Sequence, residues 1–228
     1  MVYMLLGTGF EETEAIAPLD LLRRAGVSVL TVGVNGTTIT GSHGIRVEAD
    51  ISMGEMDLTD MDMIVLPGGG KGVASLRASR EALDAIRFAW ENGKYVAAIC
   101  AGPTILADLG ITENLQATCY PSCEGGMGNA RLVPGAAAVT DGRVITGTSA
   151  GCAVPFGLAL IAALKGEEAA KHVADQIVIL LQEVTTWIKI IVLPSLKSSP
   201  PTGWTRFCLP PMWARKSSPM NTPFTPTV

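Results

Sequence analysis

The sequence predicts a doubly wound α/β fold, and three observations lead there: short apolar runs along the chain, helical patterns between them, and glycine-rich turns where several runs end. Strands buried on both faces read as near-continuous apolar runs. Strands joined through helices pair in parallel, so the pattern means a mainly parallel central sheet covered on both sides. The first run, Val2 to Leu6, precedes a helical pattern from Thr13 to Ala25 that Gly26 ends. A β-branched run from Val27 to Val34 closes at the Asn35-Gly36 turn and completes a βαβ unit. A β-rich stretch then passes through Ile39 and Ile45 to Ile51, and the run Met63 to Leu66 stops at Pro67-Gly68-Gly69-Gly70. Ser79 is placed to cap a helix from Arg80 to Asn92, with Gly93 just beyond its end. Tyr95 to Ile99 forms the next strand, and Pro103 suits the first turn of a helix running toward Leu109 and Gly110. Further strands are expected around Gln116 to Thr118, Ala137 to Val139 and Val144 to Thr146, with helices near Ala153 to Leu164 and Glu167 to Leu181.

The chain has 228 residues, 48% of them hydrophobic and 17% charged, which excludes disorder of the whole chain. Its formal charge of −4 argues against nucleic acid as the main partner, which would want a basic face. No run of 18 apolar residues occurs, and Met1 to Leu6 lacks the basic segment of an export signal, so the expectation is a cytoplasmic protein with no membrane partner. Five cysteines at irregular spacing (Cys100, Cys119, Cys123, Cys152 and Cys208) read as thiols in such a compartment. Composition breaks near residue 183. Residues 184–228 hold eight of the 14 prolines, three of the four tryptophans and no acidic residue. The expected organisation is an α/β domain over 1–183 followed by a Pro-rich irregular tail, read as a non-native extension.

In a parallel sheet with helices on both faces, ligands bind beyond the carboxyl ends of the strands. Three segments occupy such places: Gly7 to Glu14, Pro67 to Gly72, and Cys100 to Thr104. Cys100 follows five apolar strand residues and precedes a helix start, an arrangement like a nucleophile elbow, where exposed N–H groups and the helix dipole favour thiolate. The ordinary alternative is a buried, inert cysteine. Only His43 and His172 are present, neither adjacent to Cys100, so a carboxyl from Glu11-Glu12-Thr13-Glu14 is the better proton carrier. Helix-start acids of this kind also serve simply as dipole partners, which accounts for Glu11 and Glu12 and leaves Glu14 undecided. Gly68-Gly69-Gly70-Lys71-Gly72 lacks the residues of a phosphate loop, and Glu12 stands where Gly7-Thr8-Gly9 would need a third glycine for a dinucleotide. Those glycines suit an oxyanion hole instead, built from the Gly69 and Ala101 N–H groups. Cys119 and Cys123 have no second ligand pair, so no metal and no cofactor are expected.

Gly9-Phe10-Glu11-Glu12-Thr13-Glu14, Leu66-Pro67-Gly68-Gly69 and Ala98-Ile99-Cys100-Ala101-Gly102-Pro103-Thr104, at these separations, resemble the ThiJ/PfpI superfamily, in the branch of the Parkinson disease protein deglycase. The resemblance covers about residues 2–180. It implies a flavodoxin-like sandwich of the class I glutamine amidotransferase type and a homodimer. Cys100 would be catalytic, with Glu14 hydrogen-bonded to its sulfur and the Gly69 and Ala101 amides as oxyanion donors. Gly68, Gly70, Thr118 and Tyr120 would bind substrate, and Arg24 would lie near the pocket or the dimer seam. Ala101 stands where triad-bearing relatives carry histidine, which disfavours a Cys-His-acid hydrolase. Tyr120-Pro121 and Gly147-Thr148-Ser149-Ala150-Gly151 depart from patterns common in the family. The implied activity is a cofactor-independent, glyoxalase III-like or deglycase action on small α-oxoaldehydes such as methylglyoxal and glyoxal. The alternative is a non-catalytic redox-sensing or chaperone-like dimer with an oxidisable cysteine.

Overall fold

The computed structural model describes residues 1–179, so the Pro-rich segment expected over 184–228, and its boundary at 183, lie outside the described residues. The chain begins with β1 (Val2–Leu6), α1 (Glu12–Arg24) and β2 (Val29–Gly33). A small antiparallel hairpin follows, β3 (Thr38–Thr40) with β4 (Arg46–Glu48), then the short β5 (Ile51–Ser52) and β6 (Met63–Leu66). Next come α2 (Gly70–Ala78), α3 (Arg80–Glu91), β7 (Tyr95–Ile99) and α4 (Pro103–Asp108). β8 (Gln116–Ala117) and β9 (Arg131–Leu132) pair only with each other. The described part ends with β10 (Ala138–Asp141), β11 (Val144–Gly147), α5 (Ala153–Lys165) and α6 (Glu167–Gln176).

The main sheet has seven strands in the order β10-β11-β7-β6-β1-β2-β5, parallel throughout except for β10 against β11. Its strands alternate sides, which is why they read as unbroken apolar runs. Val2, Met4 and Leu6 of β1 and Met63 and Val65 of β6 face one cluster, with Leu19 and Leu22 of α1 and Phe156 and Leu160 of α5. Tyr3 and Leu5 of β1 and Ile64 and Leu66 of β6 face the other, with Leu76 of α2, Ile86 of α3 and Ile105 of α4.

One helix is added and one expectation is corrected. Residues 70–78, to which the sequence reading assigns no element, form a helix: Gly69 turns the chain at φ +86, and Val73 and Leu76 then bury one side. The last helix among the described residues ends at Gln176, short of the expected Leu181. Ser79 does cap α3, its side chain accepting from the Ala82 N–H at 3.2 Å, and Gly93 follows at φ +73.

Candidate active site

Strand order reverses at β1: β2 lies on one side of it and β6 on the other, and β7 follows β6. The loops leaving β1, β6 and β7 therefore meet beyond the carboxyl edge of the sheet. Backbone hydrogen bonds lock them together. Glu11 N–H donates to the Gly68 carbonyl at 3.0 Å, Gly72 N–H to Gly9 at 3.0 Å, and Cys100 N–H to Gly147 of β11 at 2.9 Å.

Cys100 sits at this junction with φ +64, in the left-handed region that a side chain seldom adopts. This is the strained elbow that the sequence suggests, and the residue is half-buried. A Cβ added to Gly68 would meet both the Glu14 carboxyl and the Cys100 Cβ, so the two side chains are neighbours, and Glu14 with the Gly69 and Ala101 N–H groups sets the titration of the sulfur. Glu14 comes from the first turn of α1 and is 1% exposed. Its Oε2 accepts the Gly68 N–H at 2.9 Å. The Gly68 N–H thus holds the carboxyl in place. Only glycine fits there, because an added Cβ would lie 2.7 Å from the Cys100 Cβ. Gly69 is constrained both by its φ of +86 and by the backbone of residues 9–11.

Burial pushes the Glu14 carboxyl up to about 7; the Glu11 charge adds to this, while hydrogen bonds from Cys100 and Gly68 oppose it. Burial likewise pushes the Cys100 thiol up to about 12, reinforced by the Glu14 charge and hydrogen bond and opposed by the Gly69 and Ala101 amides. Burial raises both groups and each opposes the other's ionisation, so the pair gives up one proton near neutrality and the second only far above it. The two groups act as a pair carrying one negative charge above about pH 7, and the proton can pass from sulfur to Glu14 as the sulfur attacks.

The remaining expected residues fall at different distances from this chemistry. Ala101 and Gly69 are at the sulfur, whereas Gly70 is exposed at the start of α2. Tyr120 is exposed, and its N–H donates to the Cys100 carbonyl at 2.8 Å. Thr118 is buried: its N–H meets Thr146 Oγ1 at 2.9 Å and its hydroxyl meets that of Thr148 at 2.7 Å, so it braces the rim. Arg24 pairs with Asp20 at the far end of α1. Ten residues at about 1.5 Å each put it roughly 15 Å from Glu14, outside the pocket of its own chain.

A match of the DJ-1/PfpI family model to residues 1–163 fits these three converging segments. The chain belongs to the DJ-1/PfpI family. Protein dj-1beta of Drosophila melanogaster is 34% identical over 178 residues, covering 77% of this chain and 95% of the fly protein. Deglycase PH1704 of Pyrococcus horikoshii is 34% identical over 129 residues, or 57% of this chain and 77% of that protein. The crystal structure of the fly DJ-1beta matches with a TM-score of 0.74, over 78% of this chain and 97% of that one. The VC2308 protein, at 30% identity, matches with 0.76 over 82% and 96%. The DJ-1/PfpI sandwich is therefore flavodoxin-like, as expected.

One feature of this DJ-1/PfpI site was not foreseen. Glu11 caps α1, its Oε2 accepting the Glu14 N–H at 2.8 Å. Glu12 is buried and holds the β3–β4 turn: its Oε1 accepts the His43 N–H at 2.8 Å, and its Oε2 lies 2.8 Å from His43 Nδ1. Burial works to raise the Glu12 carboxyl, but these hydrogen bonds and that of Ser42 outweigh it and hold it down to about 2. The acid-x-x-Glu spacing signals the cap, whereas nothing local links Glu12 to a histidine 31 positions away. Among the described residues, Glu11, Glu12 and His43 are the one set whose ligand-type atoms all lie within 4.8 Å of one another. The Glu12 oxygens are already committed to Ser42, His43 and Ile45, so the set reads as an ion pair and no metal is assigned. No helix among the described residues is long and apolar enough to cross a membrane.

Proposed function

We propose that the chain is a cofactor-independent thiol enzyme that converts α-oxoaldehydes such as methylglyoxal and glyoxal to hydroxyacids, with glyoxalase III-like and deglycase character. The observation that carries this reading is the Cys100–Glu14 pair, a thiol at an elbow bonded to a buried carboxyl that ionises near pH 7. Its relatives include proteins named deglycases.

The Cys100 sulfur attacks the aldehyde carbon while its proton passes to Glu14, and the Gly69 and Ala101 amides face the oxyanion that forms. Glu14 returns that proton to the oxyanion, giving a hemithioacetal. As carboxylate again, it removes the hydrogen of the former aldehyde carbon and delivers a proton to the neighbouring carbonyl carbon, while the hemithioacetal hydroxyl proton moves to the neighbouring carbonyl oxygen, leaving an α-hydroxy thioester. One carbon is oxidised and its neighbour reduced, so no external oxidant is needed. Water cleaves the thioester, releases lactate from methylglyoxal or glycolate from glyoxal, and restores the thiol. Early glycation adducts would begin with the same attack. The chemistry requires Cys100 reduced, which suits a cytoplasmic setting. We place the protein there as a homodimer of about twice 23.8 kDa, for which the exposed Ile16 and Ile45 are candidate contact residues.

The test is lactate formation from methylglyoxal by the full chain beside Cys100→Ser and Glu14→Ala. Turnover is expected in the first and loss of at least about 100-fold in both variants, the scale of one acid–base or nucleophilic group. A second reading, a sensor whose Cys100 is oxidised to sulfinate, draws on the same Glu14 and amide partners, and a matching structure from Toxoplasma gondii is titled as oxidised DJ-1. No lactate, with a stable Cys100 sulfinate under mild peroxide, would favour it.

A further inference from the structure

His43 has no part in the proposed chemistry, although it packs against the start of α1, the helix that carries Glu14. The His43 imidazole is exposed, with Nδ1 2.8 Å from Glu12 Oε2 and 3.9 Å from Glu11 Oε1. Glu11 reaches the other way as well, its Oε2 holding the Glu14 N–H at 2.8 Å. The exposed imidazole thus stands beside Glu11 and Glu12, and Glu11 holds the backbone N–H of the residue whose carboxyl neighbours Cys100 and acts on that carboxyl through its charge.

We propose that His43 is a positioning residue for the Cys100–Glu14 pair: its positive charge offsets that of Glu11 and Glu12, and its contact with Glu12 holds the β3–β4 turn against the start of α1. The groups facing it are few. From α1 they are Glu11 and Glu12, and from its own turn the Ser42 hydroxyl, at 3.0 Å from Nδ1. Arg46 and Glu48 stand farther along the hairpin, where Glu48 is occupied by the Thr38 hydroxyl at 2.7 Å. The ion pair with Glu12 favours the imidazolium and moves the His43 titration upward. The Glu11 charge is one of the causes that raise Glu14. A cation beside Glu11 therefore eases ionisation of the pair, and loss of that cation opposes it.

This inference rests on the Cys100–Glu14 pair and not on the identity of the substrate, so its test uses no substrate. The probe is iodoacetamide, with alkylation at Cys100 followed by peptide mass as a function of pH in the full-length protein. In His43→Ala the midpoint of the reactivity profile should rise by about half a pH unit, and reactivity at pH 7 should fall about two-fold. Glu11→Gln should move the midpoint the opposite way. His43→Lys restores a cation, and its midpoint should return toward that of the unmodified chain. His43→Gln keeps a hydrogen-bond donor without the charge and should behave like His43→Ala even if loss of the side chain loosens the hairpin. A merely structural role would lower reactivity equally at all pH values with an unmoved midpoint. That outcome, or a midpoint unchanged in both His43→Gln and His43→Ala, would overturn the proposal; failure of methylglyoxal turnover would not touch it.

Discussion

Glu14 is a charged residue type placed where charge is costly, and that cost can be read as pH dependence. Its folded-state value of about 7 exceeds the ordinary 4.5 because burial dominates. Between those two values the native protein binds more protons than the unfolded chain, so Glu14 stabilises the fold in acid and loses that contribution as pH rises through 7. A shift of this size corresponds to about 3 kcal/mol. Glu14→Gln should therefore unfold about 1–3 kcal/mol harder than the unmodified protein at pH 8, with the gap closing toward pH 4, as denaturant titrations at the two pH values would show. Stability gained with activity lost is the mark of a functional group in a strained site. Of this local chemistry, the sequence shows the elbow at Cys100 and the carboxyl at Glu14. It does not show the desolvation that raises both groups, because burial at this point depends on segments distant in sequence. Nor does it show the Glu12–His43 link, which exists only once the hairpin folds back onto α1.

The elements themselves were legible wherever one physical signal dominated. β6 and β7 match their apolar runs end to end, and Ser79 and Gly93 bracket α3 because capping and left-handed backbone have strong residue preferences. α2 escaped notice because its first three residues, Gly70-Lys71-Gly72, are poor helix formers, and the helix forms through the packing of Val73 and Leu76. β8 reads like any core strand but belongs to a separate two-stranded ribbon, a difference of pairing and not of composition. Helix contact supplies a test at this scale. Gly157 of α5 lies so near α1 that an added Cβ would be 2.7 Å from Leu21 Cδ1 and 3.1 Å from Pro18 Cα. Gly157→Val should lower stability by about 1–3 kcal/mol through overpacking, seen as a reduced melting temperature, while leaving the pH midpoint of Cys100 reactivity in place.

At the level of the whole molecule, the fold's contribution is to bring three loops from β1, β6 and β7 to one point where strand order reverses. Each loop supplies a different part: Glu14, the Gly68 and Gly69 amides, and the Cys100 thiol with the Ala101 amide. The motifs lie far apart in sequence, and their joint presence makes the family legible from the residues alone. The account depends on the thiol and carboxyl behaving as one ionising unit. The most direct check is the pH profile of Cys100 alkylation in Glu14→Gln beside the unmodified chain. The unmodified protein should show a rise centred near pH 7, and Glu14→Gln should lose that transition and react more slowly at pH 7. A profile in Glu14→Gln with the same midpoint and height would contradict the pairing on which the proposed chemistry stands.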